Sequence, residues 1–176
     1  VGSLAVFGWS AVLIISLVLQ STLLEHPGLV ARPDLLLVFV ILWGFLRGSW
    51  AAAKLGIFFG LAEDLFLGKY IGLNLLSKAL IGYGAGWVGK KCYRENLLLP
   101  LVGLLLGTPL YQFLYYILGS LAGLSLEPMI FARDTLIKSG YHSLIGFFIY
   151  PILLPRPDGF RLKDPGSYDH NRLRRS

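Results

Sequence analysis

The chain is expected to be all-α and polytopic, a bundle of six membrane-crossing helices, and two observations predict it. Hydrophobic residues make up 55% of the 176 positions and charged ones 15%, whereas soluble domains carry roughly 25% charged residues. The apolar residues also gather into stretches near the roughly 20 helical residues that a hydrocarbon core about 30 Å thick requires. The stretches are Leu4 to Leu24, Pro33 to Leu46, Trp50 to Leu67, Ile71 to Gly89, Leu97 to Leu121 and a last one ending near Leu154.

The first stretch is read as a retained helix and not a secretory signal: no Lys or Arg precedes it, it is long, and it lacks a small-x-small cleavage site. The second is short for a crossing. It must thin the membrane, lean on its neighbours, or extend past Arg47 with that side chain snorkelling. Pro33 suits its first turn, and Asp34 complements the positive end of the helix dipole.

Six crossings place both termini on one face, and the Lys and Arg residues say which. Eleven lie on the terminus side, among them Arg47, Lys54, Lys90, Lys91 and Arg94, and four on the other, Arg32, Lys69, Arg133 and Lys138. Positive-inside bias therefore predicts cytoplasmic termini. Residues 1–155 form the expected transmembrane domain. Residues 156–176 are a basic, disordered cytoplasmic tail, too poor in apolar residues to fold.

Glycines recur four apart at 44/48, 56/60, 68/72, 82/86, 103/107 and 119/123. Where such a pair is helical it makes a flat strip that another helix can approach closely. Gly56, Gly60, Gly82 and Gly86 are expected to hold the third and fourth helices together.

Polar residues within the stretches form a sharper pattern. Asn74 and Lys78 stand one helical turn apart, just after a short loop that follows Glu63 and Asp64. A Lys near hydrocarbon costs a few kcal/mol unless paired, so Lys78 is expected to pair with Asp64 or Glu63. The pair either fixes helix register or serves a ligand or partner. Arg32, Asp34, Glu63, Asp64, Asn74 and Lys78 thus make a candidate outer polar cluster. In the last helix Asp134, Lys138 and His142 follow one another at four-residue spacing, a stripe on one face that looks onto water, a cavity or another subunit. His142 reads as a satisfied helix histidine, and Tyr111, Gln112, Tyr115 and Tyr116 as an interfacial belt and packing surface.

Signatures of catalysis are missing. There is no Gly-x-Ser-x-Gly, Walker loop or His-Glu-x-x-His, and His26, His142 and His170 are far apart in sequence. No catalytic residue, metal ligand or cofactor is expected. The single cysteine, Cys92, excludes an intramolecular disulfide. The net charge of +6 lies beside helix ends, which suits anionic lipid headgroups and not nucleic acid.

Arg32-Pro33-Asp34-Leu35-Leu36-Leu37-Val38, then Gly56-x-x-x-Gly60-Leu61, Asp64, Gly68 and Gly72-Leu73-Asn74, in that order and spacing, resemble the MreD family of rod shape-determining proteins. The resemblance implies a non-catalytic component of the bacterial inner membrane that binds MreC and supports lateral-wall peptidoglycan synthesis. It implies indirect links to MreB, the SEDS glycosyltransferase and a class B penicillin-binding protein. It also implies a fold similar to the S components of energy-coupling-factor transporters. On this reading the MreC transmembrane helix packs against a glycine-rich face. The alternative is an S component that binds a nutrient. Such proteins dock through an Ala-x-x-x-Ala strip on the first helix, and here Ala5, Gly8, Ser10, Ala11 and Ser16 never fall four apart.

Overall fold

A computed structural model describes residues 2–24, 32–68, 70–91, 98–124 and 127–154. They form six helices and, among the described residues, no strand: α1 (Gly2–Leu24), α2 (Leu35–Arg47), α3 (Ser49–Leu67), α4 (Leu73–Lys91), α5 (Leu98–Leu121) and α6 (Pro128–Leu153). The expected tail 156–176, His26, Lys69, Cys92, Arg94 and His170 lie outside the described residues.

Local chemistry sets the ends of α2. Asp34, and not a residue of the first turn as expected, is the N-cap: its backbone is extended and its Oδ1 accepts from Leu37 N at 2.9 Å. An N-cap carboxylate satisfies an N–H that the helix leaves unpaired, so Pro33 falls just outside. The other end stops at Gly48, whose φ of 91° is rarely open to L side chains. That one residue separates α2 from α3 and lets the chain reverse at once.

At 1.5 Å per residue α2 is about 20 Å long. Leu36, Leu37, Val38, Val40, Ile41 and Leu42 are all fully buried. They cover most of the helix, and Leu35, Phe39 and Trp43 on the remaining side are half-buried, which marks it as the central strut of the bundle. Trp9, Val12, Leu13 and Leu17 of α1 pack on Leu36, Val40 and Phe59 from one side. Leu104, Tyr111 and Tyr150 of α5 and α6 meet Leu37, Ile41 and Phe45 from the other.

The α3–α4 pair is antiparallel and packs backbone on backbone. A Cβ built on Gly60 would stand 2.5 Å from Leu75 Cα, and one on Gly56 2.5 Å from the Lys78 carbonyl oxygen. Nearer the other end, a Cβ on Gly82 would lie 2.8 Å from the Ala52 carbonyl oxygen, and one on Gly86 would strike the Gly48–Ser49 backbone. Small residues make so close an approach of two helix backbones possible. Gly68 and Gly72 have φ of 66° and 109° and shape the connecting turn; they form no packing strip.

Large apolar side chains populate the periphery, including Trp50, Leu106, Leu110, Phe113, Phe148 and Ile152. Among the described residues α5 alone is both long and apolar enough to cross a membrane by itself. Charged residues interrupt α3, α4 and α6 near their ends, at Lys54, Glu63 and Asp64, at Lys78, Lys90 and Lys91, and at Arg133, Asp134 and Lys138.

Candidate functional site

The start of α2, the end of α3 and the start of α4 converge at one end of the bundle, and α5 and α6 bring their middle turns to the same place. Asp64 closes the α3–α4 turn. Its Oδ2 accepts from Gly72 N at 2.8 Å and Leu75 N at 3.1 Å, and its Oδ1 from Asn74 N at 3.1 Å and Asn74 Nδ2 at 3.0 Å. The first-turn N–H groups of α4 therefore receive a buried carboxylate at the positive end of the helix dipole.

Of the two partners expected for Lys78, Asp64 or Glu63, the structure selects Glu63, and it adds Asp34. The ammonium bridges Asp34 Oδ2, at 2.8 Å, and Glu63 Oε2. Consecutive residues point about 100° apart around a helix, so Glu63 and Asp64 face different neighbours. Lys78 is fully buried and lies 5.7 Å from the centre of the Tyr111 ring. Between two carboxylates it bears a local charge of −1 with them, a compensated arrangement that a lone buried cation would lack.

Tyr111 and Gln112 are buried, as a packing surface requires and an interfacial belt does not. The Tyr111 hydroxyl donates to Asn74 Oδ1 at 2.6 Å, which completes the bonding of the amide that also reaches Asp64. The α6 stripe is likewise split. His142 is fully buried: its Nε2 accepts from Asp34 N at 2.8 Å, and its Nδ1 lies 2.9 Å from Thr108 Oγ1. With Nε2 accepting, the ring is neutral and the proton on Nδ1 donates to the threonine. His142 thus ties α6 to the start of α2, and neither nitrogen is left for proton transfer. Lys138, one turn nearer the end, lines a cavity. Asp134 is half-buried.

That cavity, about 370 Å³, is bounded by α1, α3, the start of α4, α5 and α6 and by the chain leading into α2. Arg32 and Lys138 lie around it with Asp34 and Glu63, and Gln112 and Tyr115 reach it from α5. Gln20 of α1 approaches Asp34 Oδ1 at 3.5 Å across the same space. Sequence reading missed Thr108, Gln112 and Gln20 as members. The signal for the α5 residues was present: Thr108, Tyr111, Gln112 and Tyr115 fall at i, i+3, i+4 and i+7, one face of a helix in an apolar run. Among the described residues, no group of three His, Cys, Asp or Glu is placed to hold a metal ion.

The opposite end is basic and aromatic. The Arg47 guanidinium lies 5.1 Å from the centre of the Trp43 ring, and the Lys91 ammonium 3.7 Å from that of Trp87. An apolar groove of about 280 Å³ runs between α4 and α5 beside Gly84, whose Cβ position is open.

The sequence model of the family described as rod shape-determining protein MreD matches residues 3–155. No curated protein and no solved structure matches the chain.

Proposed function

Because the chain belongs to the MreD family of rod shape-determining proteins, we propose that it determines rod shape as a non-catalytic, six-span scaffold of the bacterial inner membrane that grips the transmembrane helix of MreC. The family match over residues 3–155 carries this reading. Through MreC the protein serves the assembly of MreB, SEDS glycosyltransferase and class B penicillin-binding protein that extends the lateral wall. Residues 1–155 are the membrane domain and 156–176 its cytoplasmic tail.

The distribution of charge supports the orientation. The end with Arg47, Lys90 and Lys91 faces the cytoplasm, its tryptophans at the level of the headgroups, and the carboxylate-rich end faces outward. Carboxylates and a lysine at the other end are tolerable because they are paired with one another and with backbone N–H groups.

Packing narrows the partner face. Gly56, Gly60, Gly82 and Gly86 are occupied within the subunit, so the glycine-rich face for MreC must be sought elsewhere. The α4–α5 groove offers Gly84 with no atom within 4 Å of its Cβ position, in apolar walls that suit a helix packed by van der Waals contact. In a copurification assay the wild-type chain is expected to retain MreC, and Gly84→Leu to reach the membrane in normal amount while losing it. Normal recovery of MreC with Gly84→Leu would reject the groove. No recovery with the wild type would reject the scaffold reading.

A further inference from the structure

The polar-end cavity holds more hydrogen-bonding capacity than the fold uses. Gln112 is 94% buried, since only 6% of its surface is exposed, and its side-chain amide has no hydrogen-bond partner among the described residues although it borders the cavity. The one buried side-chain atom without a partner among the described residues is Ser77 Oγ, so the Gln112 amide is not sealed off; it stands open to the cavity, with hydrogen-bonding capacity for a partner that enters from outside the chain. Glu63 is in a similar position. One of its oxygens is taken by Lys78, and the other accepts no hydrogen bond among the described residues.

Around these groups the charge is layered. Deep in the site, Lys78 with Asp34 and Glu63 leaves one net negative charge, and both carboxylates border the cavity. Toward the rim stand the exposed Arg32 and the half-buried Lys138, whose ammonium has no carboxylate within 4.0 Å among the described residues. Phe66, Leu67 and Phe131 supply apolar wall between the layers. An occupant that matches all three features is negative at the rim, donates hydrogen bonds at depth, and bears an apolar portion.

We propose that the cavity is a headgroup site for a phosphate ester whose polar arm carries hydroxyl or amine donors. The phosphate engages Lys138 and Arg32 at the rim, and the donor arm reaches the free oxygen of Glu63 and the Gln112 amide. Lysine and arginine are the ordinary partners of phosphate oxygens, and charge-assisted bonds of this kind are about twice as strong as neutral ones. Glycerol and ethanolamine phospholipids have this chemistry, and so do their water-soluble phosphates. A volume of about 370 Å³ accommodates a headgroup and the first part of its apolar attachment, near the lower bound of small-molecule sites. The inference rests on the outward placement of the polar end, but it makes no use of MreC.

The full chain, purified in detergent, is titrated with short-chain phosphatidylethanolamine, phosphatidylglycerol and phosphatidylcholine, and with free ethanolamine phosphate, while melting temperature and bound lipid by native mass spectrometry are followed. Ethanolamine and glycerol lipids are expected to bind and raise the melting temperature, and the choline lipid, whose ammonium has no N–H, to bind at least about tenfold more weakly. Binding of free ethanolamine phosphate with equal affinity would identify the headgroup alone as the ligand; binding of the lipid only would assign the acyl portion to the site. Lys138→Gln and Gln112→Leu are each expected to weaken binding about tenfold, with an unliganded melting temperature no lower than that of the wild type for Gln112→Leu. Equal binding of all three lipids, or unchanged affinity in both variants, would overturn the proposal. MreC copurification by the same variants reports the scaffold reading separately.

Discussion

The two helical hairpins of the bundle are built on different principles. In α3–α4 the backbones touch: Gly56 and Gly60 lie against residues 74–79, and the turn is closed by the four hydrogen bonds of Asp64. In α5–α6 side chains do the joining. A Cβ on Gly146 would meet side chains and no backbone, Leu104 first and Leu42 of α2 at 4.0 Å, Tyr116 packs on Phe131 at 5.3 Å, and His142 bonds to Thr108. Backbone contact leaves no room for adjustment, because neither helix can repack by changing a rotamer. Contacts between side chains can shift, and it is this hairpin that presents Gln112 and Lys138 to the cavity. The rigid hairpin fixes the charged floor of the site, and the adaptable one supplies the groups left for an occupant.

Substitutions that attack the first hairpin should therefore cost more than those that attack the second. The largest effect is expected from Lys78→Met, which leaves the half-buried carboxylates of Asp34 and Glu63 without their shared cation, a loss of about 3 kcal/mol or more. It should appear as a collapse of the folded yield in detergent, and a melting temperature within a few degrees of wild type would show that the pair is not needed for stability. Gly60→Ala follows, at about 3 kcal/mol, because its methyl group meets the α4 backbone and not a movable side chain. Asp64→Asn keeps one oxygen of the cap and turns the other into a donor facing N–H groups, for a cost of about 2 kcal/mol readable in chemical denaturation.

Gly146→Ala is the matching test on the second hairpin. The Leu104 side chain can turn aside, and alanine recovers up to about 1 kcal/mol of helix propensity, so the net change is expected to stay below about 1 kcal/mol. If Gly146→Ala and Gly60→Ala destabilise equally, the distinction between the hairpins fails.

Much of this architecture can be read from the chain before any coordinates. The helices were legible because their apolar stretches are long and their breaks fall at Gly48, Gly68 and Gly72. The glycines 56, 60, 82 and 86 were singled out by spacing, and the structure sets them at the contacts of α4 with α3 and the Gly48–Ser49 turn. What the sequence leaves open is azimuth. Glu63 and Asp64 are neighbours in the chain with different partners, and only the position of α2 beside α3 shows that Glu63 shares Lys78 with Asp34. Asp34 itself is paired with residues of α4 and α6 that are 44 and 108 positions away, beyond the reach of local periodicity. Tyr111 stood between interfacial belt and packing surface for a related reason: an aromatic with a hydroxyl suits a membrane interface as well as a buried bond, and only Asn74 opposite it decides between them.

All of these readings presuppose that the polar end looks out of the cell and the basic end in. The chain's single cysteine makes this direct to measure, since Cys92 follows Lys91, the last residue of α4. In spheroplasts treated with a membrane-impermeant maleimide, Cys92 is expected to remain unlabelled until the membrane is lysed. In the Cys92→Ser background, Glu127→Cys, at the polar end before α6, is expected to label at once. Labelling of Cys92 in intact spheroplasts, with protection of position 127, would contradict the account.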